Sequence, residues 1–166
     1  MLVANQRSIC VGLGEVAVTK DTSVILTCSG LGSCIAMCVW DPATKSGGMA
    51  HMLLPTCRNK NDVASLPSKY VDTGAPHLIN RMLKQGSARE DLIIKITGGA
   101  RMLSIPGLSQ LDIGQRNITE IKTTLQREKL PILGEDLGGT YGRSVYFFVD
   151  SGRITVKVVN GSVIDL

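Results

Sequence analysis

The sequence has few aromatic residues and no long apolar run. Aromatic side chains make up 4% of the 166 residues, and the small basic excess, a net charge of +4, is scattered. Proteins that bind nucleic acid combine clustered basic residues with aromatic side chains that stack on bases, so we expect no nucleic-acid partner. No run approaches the roughly 18 apolar residues of a transmembrane helix, and MLVANQRSIC lacks the apolar segment of a secretion signal. We therefore expect a cytoplasmic protein that is not inserted in a membrane.

The rest of the composition is that of a folded protein. Hydrophobic residues make up 43% and charged residues 19%, which excludes disorder caused by low hydrophobicity. No linker or repeat divides the chain, so we expect a single domain over residues 1–166. The five cysteines are an odd number, which argues against a disulfide framework and indicates a reducing compartment.

Apolar runs predict a β-hairpin in the first third of the chain. Residues 34–40 (CIAMCVW) and 49–54 are both apolar, and Asp41-Pro42 between them has type I turn chemistry. Several shorter β-rich runs precede and follow this hairpin. Together they predict many strands.

Two segments have the spacing of amphipathic helices. They lie at about residues 75–84 and 118–129, and Asn117 with Glu120 forms a capping pair for the second. Residues 56–68 are polar and predict a loop. Many strands with two main helices indicate a mixed α/β (α+β) fold.

The two strands of the predicted hairpin carry a thiol and an imidazole, one on each strand. His51, one of two histidines, follows Cys34 by 17 residues. A Cys–His pair can supply a nucleophile, because the imidazole accepts the proton of the thiol. Gly32 and Ser33 precede Cys34, and backbone N–H groups in such a glycine-rich segment can hold an oxyanion.

The hairpin register decides whether these two side chains meet. A loop at residues 42–43 places Cys34 opposite His51, whereas a loop centred on residues 44–45 places Cys38 there. The sequence is compatible with both registers.

Other interpretations of these residues exist. Cys34, Cys38 and His51, completed by Cys28 or Cys57, carry metal-ligand chemistry, although structural zinc sites usually have two close ligand pairs. The two hairpin cysteines also suit a role as small buried hydrophobes, with the histidine hydrogen-bonded in the core.

A dinucleotide-binding fingerprint is matched only in outline. Gly12-x-Gly14-x-x-Ala17 has the right spacing, but the residues after it predict strands. The fingerprint functions where a strand passes into a helix, so a turn is the favoured interpretation.

Several motifs occur in an order that is specific to one protein family. The first group is Gly30-Leu31-Gly32-Ser33-Cys34, Asp41-Pro42 and Gly48-Met49-Ala50-His51-x-x-Leu54-Pro55. The second is Pro67-x-Lys69-Tyr70-x-Asp72, Lys95-x-x-Gly98-Gly99-Ala100, Ile113-Gly114-x-Arg116-Asn117 and Glu135-Asp136-x-Gly138-Gly139 followed by Arg143-Ser144-Val145. In this order the motifs resemble the CheD family, the chemoreceptor glutamine deamidases of bacterial and archaeal chemotaxis.

The resemblance implies a fold and an activity. The fold would be a three-layer α/β/α sandwich, here with mixed, largely antiparallel strands. The activity would be that of a protein-glutamine glutaminase, a cysteine-dependent amidohydrolase that converts receptor glutamines to glutamate and releases ammonia without a cofactor. Cys34 matches the family's nucleophile and His51 its histidine. CheC-type phosphatases would be a further partner.

One position departs from the family pattern. The family has a threonine six residues before the nucleophile, and this sequence has Cys28 there. Thr27 can take the third catalytic role if the strand is shifted by one residue. The departure also allows an alternative function, a non-catalytic adaptor that binds chemoreceptors and a CheC-type phosphatase.

Overall fold

Two five-stranded sheets make up the β structure of the computed structural model, which describes residues 6–103, 106–107 and 112–166. The first sheet contains β1 (Arg7–Cys10), β3 (Val24–Leu31), β8 (Arg143–Phe148), β9 (Ile154–Val158) and β10 (Val163–Asp165), in that order. The second sheet has the order β2 (Val16–Thr19), β5 (Ser46–Met52), β4 (Ile35–Asp41), β6 (Ile93–Gly98) and β7 (Ile132–Leu137). The pairs β1–β3 and β6–β7 are parallel and the other six pairings are antiparallel, which confirms mixed, largely antiparallel strands.

Three α-helices and one 3₁₀ turn are present in the described residues. They are α1 (Lys60–Ser65), α2 (Val71–Lys84), α3 (Ile113–Arg127) and the 3₁₀ turn Arg89–Asp91. The predicted loop over residues 56–68 is therefore wrong in part, because Asn59 caps α1 by accepting the N–H of Asn61.

The predicted start of the second main helix is also wrong. The helix α3 begins five residues earlier than predicted, at Ile113, and its N-cap is Asp112, whose carboxylate accepts the N–H of Gln115. Asn117 lies within the helix and is buried, so the predicted capping pair with Glu120 does not form. Asp at an N-cap satisfies the unpaired N–H groups of the first turn in the way that asparagine was expected to.

Two hydrophobic cores lie on the two faces of the second sheet. One face of β4 and β5 packs against α2 and α3, with Met37, Met52 and Leu78 among the fully buried side chains. The other face packs against the first sheet and brings Cys38 and Met49 against Phe147. The mixed α/β fold is confirmed, with helices against one side of the second sheet and the first sheet against the other. The α/β/α layering stays a prediction.

The β4–β5 hairpin has a register between the two that the sequence allowed. Asp41 pairs with Ser46, so the loop has four residues and Ala36 lies opposite His51. Both predicted registers are therefore wrong. The loop is longer because the Asp41 carboxylate accepts the N–H groups of Ala43 and Thr44, and Lys45 completes the turn with a φ of 50°. None of the helices in the described part of the chain is long and apolar enough to cross a membrane.

Candidate active site

His51 lies between the two sheets and is 2% exposed. It lies on β5 and faces the first sheet, because its cross-strand neighbour Ala36 belongs to the core between the sheets. Its Nδ1 atom is 3.2 Å from the carbonyl oxygen of Val11, which follows β1. Residues of both sheets therefore fix the ring.

This contact determines the tautomer of His51. A carbonyl oxygen can only accept, so Nδ1 carries the proton and Nε2 has a free lone pair in the neutral ring. Nε2 is buried and has no hydrogen-bond partner among the residues that the structure describes. Burial lowers the pKa of His51 below its ordinary value of 6.5, and the Val11 carbonyl and the Glu15 charge oppose that shift. At neutral pH the ring is thus an uncharged base with an unused acceptor.

Cys28, and not Thr27, contacts this imidazole. The Sγ atom of Cys28 lies 3.3 Å from Nδ1 of His51. Thr27 points to the opposite side of β3, and its hydroxyl donates to the carbonyl of Ile9 over 3.4 Å. The shifted strand in which Thr27 would face His51 is therefore not observed. Burial raises the pKa of Cys28 to about 12, so this residue is a neutral thiol.

Cys34 lies directly before β4 and is partly exposed. Its side chain packs against the core between the sheets, the same core that borders His51. Burial raises the pKa of the Cys34 thiol, and a hydrogen bond from its own backbone N–H opposes this only in part. A thiol in this state needs a base to remove its proton.

Backbone contacts from β6 hold the segment before Cys34 in place. The N–H of Ala100 donates to the carbonyl of Gly32 over 2.9 Å, and the N–H of Gly99 donates to that of Cys34 over 2.8 Å. Gly98 has a φ of +116° and lies so close that a Cβ atom would overlap the Cys34 carbonyl oxygen. The Gly98-Gly99-Ala100 motif therefore serves to position the thiol.

Asn117 holds the remaining carbonyl of this segment and was not predicted as a site residue. Its buried amide nitrogen donates to Ser33 over 2.8 Å and to Leu53 over 2.9 Å, so α3 joins the chain around Cys34 to the end of β5. An amide side chain four residues before Ile121, and so on the same face of the helix, was the available sequence signal. Its position beside a predicted helix start favoured a capping role instead.

The carbonyl contacts leave the N–H side of the segment open. Within the described residues, the N–H groups of Ser33 and Cys34 donate to no backbone carbonyl. Ser33 lines a pocket of about 120 Å³, together with residues 100–103 and 112–114. We call this the Ser33 pocket; its wall includes the residue directly before Cys34.

The other sequence motifs have structural roles. Gly12 and Gly14 lie in a turn in which the Glu15 carboxylate accepts the N–H of Gly12, and strand β2 follows. The helix that a dinucleotide fingerprint needs is thus replaced by a strand. Among the described residues, no three His, Cys, Asp or Glu side chains lie close enough together to hold a metal ion.

Comparison with known proteins assigns the family. A family model described as CheD chemotactic sensory transduction matches residues 53–158. The chain belongs to the CheD family. It is 41% identical to the chemoreceptor glutamine deamidase CheD of Thermotoga maritima, covering 91% of this chain and 92% of that protein. It is 39% identical to a probable chemoreceptor glutamine deamidase CheD of Symbiobacterium thermophilum, covering 95% and 96%.

The CheD likeness extends over the candidate site. A probable chemoreceptor glutamine deamidase CheD of Pyrococcus abyssi is 38% identical over 96% of this chain. The family model begins two residues after His51, whereas the alignments with these relatives cover nearly the whole length. Within that aligned length, Gly99, Ala100 and Asn117 hold the segment around Cys34.

Proposed function

We propose that this protein is a cytoplasmic chemoreceptor glutamine deamidase that uses Cys34 as its nucleophile. The relatives named above carry this activity in their names and align over more than nine tenths of the chain. The observation that carries the mechanism is the buried Nε2 of His51, a base whose tautomer is set by Val11 and which has no partner in the described part of the chain. In this proposal, Cys34 and His51 belong to one domain that spans residues 1–166.

His51 and Cys34 act together in the first half of the reaction. Nε2 of His51 takes the proton of Cys34, and the thiolate attacks the carboxamide carbon of the receptor glutamine. The backbone N–H groups of Ser33 and Cys34, which follow Gly32, stabilise the oxyanion. Nε2 then returns its proton to the leaving nitrogen, so ammonia departs and a thioester remains.

Water completes the reaction with the same groups. His51 removes a proton from the water that attacks the thioester, and the collapse of the second intermediate gives glutamate and the free thiol. The other ring proton stays on Nδ1, where it is hydrogen-bonded to the Val11 carbonyl throughout the reaction. No cofactor takes part in these steps.

Cys28 takes the third position in this proposal, in place of Thr27. Its sulfur contacts Nδ1 of His51 and so helps to orient the ring, as the threonine of the family pattern would. Because its pKa is raised to about 12, it stays protonated and does not compete as a nucleophile.

The decisive experiment compares wild type with Cys34→Ala on a purified chemoreceptor cytoplasmic fragment. Wild type is expected to release ammonia and to raise the mass of glutamine-containing peptides by about one dalton each, the difference between an amide and an acid. Cys34→Ala is expected to lower this rate by about a thousandfold or more. Cys57→Ala is the matched control, since Cys57 lies beyond His51 and donates to the carbonyl of Asn59.

Two outcomes would contradict the proposal. Equal glutamate formation by wild type and Cys34→Ala would remove Cys34 as the nucleophile. Binding of the receptor fragment without any conversion by wild type would instead favour the non-catalytic adaptor. A CheC-type phosphatase is a proposed partner in both cases.

A further inference from the structure

A second pocket adjoins the Ser33 pocket and carries two arginines. It has a volume of about 340 Å³, and Ile113 at the start of α3 lines both pockets. Its other walls are residues 54–56 and Tyr70, with Arg58 and Arg116 among the lining side chains. We call it the arginine pocket.

The arginine pocket is attached to the segment that carries the nucleophile. Asn117 donates to the carbonyls of both Ser33 and Leu53, so the residue before Cys34 and the residue before Leu54 are held by one amide group. Leu54 lines the arginine pocket and Ser33 lines the Ser33 pocket. A peptide whose glutamine enters at Cys34 therefore has neighbouring residues within reach of Arg58 and Arg116.

Both arginines lack a charge partner among the residues that the structure describes. Arg58 and Arg116 are exposed, and neither forms an ion pair within the residues that the structure describes. The residues outside that description contain no aspartate or glutamate, so they supply no carboxylate either. Both guanidinium groups are thus available to a ligand.

The nearby carboxylates are already engaged. Asp62 accepts the hydroxyl of Tyr70 over 2.7 Å and lies 3.8 Å from Lys69. Asp72 accepts the N–H of Cys57 with both oxygens. The charged side chains that line the pocket are thus both arginines, which gives it a positive charge.

We propose that Arg58 and Arg116 bind acidic side chains that flank the target glutamine in the receptor, and so select acidic segments as substrates. This inference rests on the proposed deamidase function. A guanidinium binds a carboxylate through two parallel hydrogen bonds, which favours this class of ligand over a neutral one. Because each reaction turns an amide into a carboxylate, a segment with several target glutamines is recognised better after its first conversion.

The test is a cycle of enzyme and substrate variants. The enzyme variants are Arg58→Gln and Arg116→Gln, and the probe is a receptor cytoplasmic fragment with its acidic residues near the target glutamine either present or replaced by alanine. Each arginine variant is expected to raise KM on the acidic fragment by about two- to fivefold, as for an exposed ion pair, with kcat unchanged. On the alanine fragment both variants are expected to equal wild type. Raising the salt concentration is expected to reduce the difference between variants and wild type.

Arg127→Gln is the matched control, because Arg127 is exposed in the last turn of the same helix, far from both pockets. The inference is overturned if the arginine variants match wild type on the acidic fragment, or if their effect is the same on the alanine fragment. A wild type that converts no glutamine in any fragment contradicts the deamidase function itself. The two failures are thus distinguishable.

Discussion

At the scale of single residues, His51 is held by atoms from both sheets. Val11 follows a strand of the first sheet, Cys28 lies within that sheet, and the histidine itself belongs to the second. A ring held in this way presents Nε2 in one direction and loses little rotational freedom when substrate binds. The same burial keeps the ring uncharged at neutral pH.

The lowered pKa of His51 predicts where activity falls on the acid side. Protonated His51 cannot accept the proton of Cys34, so kcat/KM falls as the pH drops through the pKa of the histidine. Burial holds that pKa below the ordinary value of 6.5, so the acid limb is expected to have its midpoint below pH 6.5. Ammonia release measured across about pH 4.5–8 gives this midpoint. A midpoint above pH 6.5 would contradict a His51 whose pKa is lowered by burial.

Two variants of Cys28, one with threonine and one with the equally shaped valine, test the contact of this residue with Nδ1 of His51. Cys28→Thr keeps an acceptor near the ring, whereas Cys28→Val removes it and fills the same space. The valine variant is expected to lose about fivefold in kcat, the worth of one hydrogen bond of about 1 kcal/mol, with KM unchanged. Its acid limb is expected to move to lower pH, since the charged ring loses an acceptor. Equal kcat and equal pH profiles for both variants would mean that Cys28 only fills space.

The site residues differ in how far sequence could identify them. Cys34 and His51 were predicted from their chemistry, from their spacing of 17 residues around one hairpin and from the resemblance to the CheD family, and their catalytic roles stay a prediction. The choice between Cys28 and Thr27 depends on which side of β3 each faces, and the pleat decides that only once the register is known. The role of Val11 involves a backbone carbonyl, which leaves no residue-type signal. The amide of Asn117 was a signal, but it fitted a helix cap equally well.

At the scale of elements, the close contact between β6 and the Cys34 segment depends on Gly98. Its φ of +116° and the nearby Cys34 carbonyl leave no room for a Cβ atom, whereas Gly30, with a φ of +68°, has no atom within 4 Å of such a position. Gly98→Ala is expected to lower the free energy of unfolding by about 3 kcal/mol or more, and Gly30→Ala by about 1 kcal/mol, the cost of the backbone conformation alone. Urea unfolding measures both, and equal losses would show that the contact with Cys34 is loose.

The sequence predicted the presence of the main strands and helices better than their ends. The apolar runs of β4 and β5 and the periodicity of α2 and α3 identified these elements, but their ends depend on capping contacts. The start of α3 is set by Asp112 and the hairpin loop by Asp41, each through its carboxylate. Several residues near each end have side chains that can cap a helix or close a turn, so the sequence alone did not show which of them does so.

At the scale of the whole molecule, an ion pair joins the central strand of the first sheet to an edge strand of the second. The guanidinium of Arg143, on β8, donates to the carboxylate of Asp136, on β7, over 2.7 and 3.3 Å, and to the carbonyl of Gly138 over 2.9 Å. The Arg143 side chain is 0% exposed. Asp136 and Arg143 therefore have a structural role between the sheets.

Arg143→Met is expected to lower the free energy of unfolding by about 3–5 kcal/mol, because it leaves the Asp136 carboxylate without its partner. The double variant Arg143→Met with Asp136→Leu is expected to recover part of this loss, since no unpaired charge remains. Urea unfolding gives both values. Arg7→Met, in an exposed pair with Asp21, is the control and is expected to have a much smaller effect. A double variant less stable than Arg143→Met alone would contradict this account.

The position of His51 between the sheets also bears on how such an enzyme can evolve. The ring cannot be moved without shifting Val11 or Cys28, and those residues belong to the framework that keeps the sheets together. Arg58 and Arg116 lie on the exposed surface and contribute little to the core. If Cys34 and His51 act as proposed, adaptation to a new receptor can therefore proceed by replacing surface residues around an unchanged pair, so substrate preference can drift between lineages while the chemistry is inherited intact.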